Sequence, residues 1–71
     1  MGGLKMKYYN IELLQTAAEK LQQLLCNMGV KFEISAAGAY YHFEILLNRE
    51  SAEYKKIEDF IYLDAIAEVR I

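Results

Sequence analysis

The chain has 71 residues, a length that predicts one domain, 1–71, whose core lies near the lower limit for independent folding. Its single cysteine, Cys26, excludes an intrachain disulfide, and with one histidine, His42, it cannot assemble a structural Cys/His zinc site. A formal net charge of −2 argues against nucleic-acid binding by counterion release, and no apolar run approaches the ~20 residues of a membrane span.

Met1-Gly2-Gly3 reads as a flexible start, and Met6 is a second candidate initiator. Leu4, Met6 and Tyr8 alternate with Lys5, Lys7 and Tyr9, which predicts a first strand with the lysines facing outward. A helix is predicted from about Asn10 to Met28. Asn10 is a reasonable N-cap, and Gly29 supplies the left-handed stop. Leu14, Ala17, Ala18, Leu21, Leu25 and Met28 form its apolar stripe, widened by Leu13 and Leu24. Glu12 falls on the solvated side, and Cys26 also lies off the stripe.

Two period-two runs follow, Val30–Ser35 and Tyr40–Leu47, separated by Ala36-Ala37-Gly38-Ala39. A turn centred between Ala37 and Gly38 predicts a hairpin with Ile34 opposite Tyr41, Phe32 opposite Phe43 and Val30 opposite Ile45. On the other face the same register pairs Glu33 with His42 and Lys31 with Glu44. A second helix is predicted from Arg49 or Ser51 to Leu63, burying Tyr54, Ile57, Phe60 and Ile61. Residues 65–71 alternate as a last strand.

The order is then β-α-β-β-α-β, the split βαβ arrangement of ferredoxin-like α+β sandwiches, with two helices on one face of a four-stranded antiparallel sheet. Without the first strand, an α-β-β-α-β domain with a three-stranded sheet remains. The open face is expected to carry Lys5, Lys7, Lys31, Glu33, His42, Glu44, Glu68 and Arg70.

His42 with Glu33 and Glu44 is the nearest approach to a catalytic or metal-binding group, but a flat wet face does little to perturb a pKa. Cys26 near a helix C-terminus, beside acids and amides, lacks the cations that activate a thiol. Ser35, Ser51 and Thr16 have no histidine at triad spacing, and no glycine-rich phosphate loop is present. The expectation is therefore no enzyme, no cofactor and no metal. Nucleic-acid stacking needs aromatic rings on the open face, whereas Phe32, Tyr41 and Phe43 are expected under the helices.

The apolar content of 55% and six tyrosines point instead to contact with another chain. The expected function is a non-catalytic protein–protein interaction domain in the cytoplasm. It would act as a homodimer or as a modulator docked onto a larger protein, the manner of small phage-borne inhibitors. Tyr40, His42, Glu44, Tyr54 and Tyr62 are the candidate contact residues. A small-ligand regulatory domain is the alternative, weakened by the lack of glycine where the first strand passes into the helix at Tyr9-Asn10. A weak nucleic-acid-binding module is the second alternative.

Overall fold

A computed structural model describes residues 6–70. Within them lie β1 (Lys7–Leu14), α1 (Gln15–Met28), β2 (Lys31–Ala37), β3 (Tyr40–Leu47), α2 (Ala52–Asp64) and β4 (Val69–Arg70). All pairings are antiparallel and the sheet order is β2-β3-β1-β4. This is the expected α+β, ferredoxin-like sandwich. The predicted flexible start, residues 1–3, lies outside the described residues, as do Leu4 and Lys5.

The first strand lies further along the chain than periodicity predicted. Residues 10–14, assigned to the helix, belong to β1 and pair with β3 from Asn10↔Glu44 to Leu14↔Tyr40. Tyr9, Ile11 and Leu13 point under the helices, with Ile11 and Leu13 fully buried. The expected phase is thereby inverted: Tyr8 lies on the open face and is 62% exposed. Asn10 is a strand residue, not a cap. Leu14 occupies the N-cap position of α1 without any side-chain hydrogen bond.

The end of α1 matches its expected form. Gly29 takes φ 71, its N–H meets the Cys26 carbonyl at 3.2 Å, and the Val30 N–H meets the Leu25 carbonyl at 3.1 Å. This pair of bonds is a Schellman motif, and it turns the chain back into β2. Ala17, Ala18, Leu21 and Leu25 are the buried stripe of the helix.

The β2–β3 hairpin forms, but its register differs by two residues from the predicted one. The turn is Gly38-Ala39 alone, with Ala37 opposite Tyr40. A two-residue hairpin loop requires positive φ at its first position, and Gly38 supplies φ 67 there. Phe32 therefore opposes Ile45, Ile34 opposes Phe43, Ser35 opposes His42 and Glu33 opposes Glu44. The expected Glu33–His42 and Lys31–Glu44 pairs do not form. A two-residue shift preserves side-chain parity, so the division between faces survives.

Ser51 caps α2, its Oγ accepting from the Tyr54 N–H at 3.2 Å. Such a cap contributes about 1 kcal/mol. The hydroxyl also donates to the Asn48 carbonyl at 2.6 Å, tying the cap to the end of β3. Ile57 and Ile61 are buried, and Tyr54 and Phe60 are half-buried at the edges of the stripe.

The last strand is shorter than predicted. The Ala65 N–H bonds to the Ile61 carbonyl at 3.2 Å and extends the helical turn. The Glu68 N–H then bonds to the Ala65 carbonyl at 2.9 Å. Val69 and Arg70 pair with β1, opposite Leu13 and Glu12, and the Glu68 carbonyl accepts from the Leu14 N–H at 3.1 Å. Ile71 lies outside the described residues. The core formed between the layers includes Ala17, Ala18 and Ala65, small side chains that let α1 and α2 approach the sheet but bury little area.

Candidate functional site

The open sheet face presents side chains in rows set by the strand registers. One row runs Ser35, His42, Glu12 and Arg70 across β2, β3, β1 and β4. Its neighbour holds Glu33, Glu44 and Asn10. Beyond these lie Lys31, Leu46 and Tyr8 at one end, and Ala37, Tyr40 and Leu14 at the other. Lys7 falls on the helix-side parity and does not join the rows as expected; Glu68 belongs to the turn before β4, where its carbonyl accepts from the Leu14 N–H.

The Glu12 carboxylate is the hub of this face. Arg70 Nε donates to Oε1 at 2.8 Å and Nη2 donates to the same oxygen. The second oxygen, Oε2, lies 3.3 Å from His42 Nδ1. His42 Nε2 lies 3.2 Å from Asn10 Oδ1. The Arg70 guanidinium sits 4.3 Å from the centre of the Tyr40 ring, a cation–π distance. Tyr40 and His42 are thus brought into one network with Asn10, Glu12 and Arg70. Glu44 shares the face but stands opposite Glu33.

The hydrogen bonds from Arg70 hold the Glu12 carboxyl below its ordinary value of 4.5; partial desolvation opposes this and the His42 contact adds to it. A carboxyl with a depressed folded-state pKa contributes stability above its unfolded pKa and loses it as pH falls through the folded value. Glu12→Gln should therefore be less stable than the parent at neutral pH, and the gap should close below pH ~4. Urea unfolding midpoints of both proteins across that range measure it. A gap independent of pH would show that the carboxylate charge contributes nothing.

Both ring nitrogens of His42 face oxygen atoms. The contacts to Glu12 and Asn10 engage both nitrogens, so the imidazole must break one of them before it can meet a bound molecule. Among the described residues no group of three His, Cys, Asp or Glu side chains could hold a metal ion. The network's evident physical role is to cross-link β3, β1 and the two-residue β4.

As a stacking surface the face is interrupted. Phe43 is buried, and Phe32 and Tyr41 pack on the helix side, as predicted. Tyr8 and Tyr40 do lie on the open face, but Arg70 covers Tyr40, and Glu12, Glu33 and Glu44 stand between them.

Tyr54 and Tyr62 belong to the other side of the molecule, so the five predicted contact residues do not form one site. Tyr54 packs edge-to-face against Tyr9, with ring centres 5.5 Å apart at 72°. Its hydroxyl donates to Glu58 at 2.9 Å. That bond, with desolvation, raises the Tyr54 pKa, while burial raises that of Tyr9. Tyr62 lies two turns on and is 66% exposed. Beside it, Leu63 and Ile66 are 79% and 56% exposed. A shallow groove between α1 and α2 is lined by Lys20, Leu24, Lys56, Asp59, Phe60, Leu63 and Asp64.

A wider groove of about 660 Å³ lies at the opposite end of the sheet, near Met6, Met28, Val30 and Leu46. Asn48, Glu50, Ser51 and Glu53 also line it, and the Ser51 hydroxyl is engaged in the cap of α2. Cys26 is exposed on α1, as expected. No helix among the described residues is long and apolar enough to cross a membrane.

Sequence reasoning missed Asn10, Glu12, Leu63 and Ile66. The alternation of Tyr9, Ile11 and Leu13 with Asn10 and Glu12 was the available signal for the first pair. For Leu63, the signal was its place three residues beyond Phe60. Comparison with protein-family models, curated proteins and solved structures gives no match.

Proposed function

We propose that the chain is a non-catalytic protein-interaction domain whose contact surface is the C-terminal half of α2 and the turn that follows. One observation carries this reading. Tyr62, Leu63 and Ile66, three large apolar side chains within five residues, each stand more than half exposed. Single exposed apolar residues are ordinary, but a group rimmed by charged residues marks a docking surface. At Leu63 the charges are Lys56, Asp59 and Asp64, which line the same groove. The tyrosine adds an aromatic ring with a polar tip, the residue type favoured at interfaces.

The test compares the parent with Leu63→Asp, at a position exposed enough for the fold to persist. The parent should show concentration-dependent sedimentation or retain a specific protein from lysate, and Leu63→Asp should lose that association with its melting temperature unchanged. A parent that stays monomeric at millimolar concentration and retains nothing overturns the reading.

A further inference from the structure

We propose that the α1–α2 groove is a self-association surface, occupied by the same groove of a second copy about a twofold axis near Phe60. The proposal rests on the interaction reading above and names its partner. The groove is formed by Leu24, Phe60 and Leu63 and rimmed by Lys20, Lys56, Asp59 and Asp64. Two cations balance two anions, so no net charge repels an identical surface.

A twofold contact demands more than neutrality, because residue i must meet j wherever j meets i. The sequence of α2 satisfies this. Lys56 lies four residues before Phe60 and Asp64 four residues after it. On a helix, positions four apart share a ridge, so all three lie along one line. A second α2 laid antiparallel across the first places Lys56 of each copy against Asp64 of the other, with the two Phe60 rings at the axis. A parallel arrangement would set Lys56 on Lys56 and Asp64 on Asp64. The charges thus select the antiparallel register, while burial of Leu63, 79% exposed in the single chain, drives the contact.

Sedimentation velocity of the full chain over a concentration series tests this. A reversible monomer–dimer equilibrium is expected. Lys56→Asp and Asp64→Lys should each weaken the dimer by about tenfold or more, because each sets like charges face to face. The double variant should recover to within about threefold of the parent, since the swap restores opposite pairs. Both positions are exposed, so the fold should hold, and thermal unfolding of each variant checks it.

A monomer at millimolar concentration overturns the proposal. So does a dimer indifferent to the single swaps, or one that the double variant fails to restore. If the chain stays monomeric yet loses a different bound protein on Leu63→Asp, the second copy is wrong and the interaction reading stands. If neither association exists, both fall.

Discussion

Phe43→Ala should abolish cooperative folding. Phe43 is fully buried on β3, the strand that pairs with both β1 and β2. Its ring stacks on Phe32, with centres 6.1 Å apart and planes 29° from parallel. Truncating a buried phenylalanine costs about 3–5 kcal/mol. Domains below ~70–80 residues rarely draw more than about 3–5 kcal/mol from one core. The loss therefore equals the whole stability, with no disulfide to offset it. Collapse into the space is restricted because Ile34, opposite Phe43, and Ile45, two residues along the strand, are fixed by the sheet. Urea unfolding followed by circular dichroism should show no sigmoidal transition for this variant. A cooperative transition within about 1 kcal/mol of the parent would contradict the sandwich, because it would put Phe43 outside the core. Phe32→Ala should be milder, since that ring is half-buried on the edge strand β2.

The same physics explains which parts of the fold were legible in the sequence. β3 was readable because Tyr41, Phe43, Ile45 and Leu47 alternate without interruption, and no helical stripe fits them. α2 was readable from Ser51 and the spacing of Ile57 and Ile61. Residues 10–14 were not, because Leu13 and Leu14 satisfy a helical stripe as well as an alternating strand. Local preference left that choice open, and eight cross-strand pairs with β3 decided it. The hairpin register turned on a single backbone angle at Gly38. That detail outweighed two attractive charge pairings, which on an exposed face are worth little.

The open-face network was the least legible part. His42 and Glu12 are separated by 30 residues, and Arg70 and Glu12 by 58. Neither contact follows from spacing along the chain; both follow once β1 is known to lie between β3 and β4. With Glu12 placed on a helix, the search for a partner to His42 could reach only Glu33 and Glu44. Of the exposed group at Tyr62, Leu63 and Ile66, Tyr62 was already a candidate contact residue. Ile66 was hidden by its assignment to a strand, and Leu63 closed the predicted helix without being read as exposed.

The boundary between β1 and α1 can be tested by two adjacent residues. In the strand, Leu13 points into the core and is fully buried, while Leu14 points to the open face beside Tyr40. Leu13→Ala should cost about 2–5 kcal/mol, the range for a buried leucine whose cavity cannot close. Leu14→Ala should cost under about 1 kcal/mol, since it removes only a partly exposed side chain and no capping hydrogen bond. Were residues 10–14 helical, both leucines would belong to one apolar stripe, and the two losses would be similar. Paired denaturant midpoints measure the difference directly. A ratio near one would return these residues to the helix. Glu12 would then leave the sheet, and the network linking it to His42 and Arg70 would be lost.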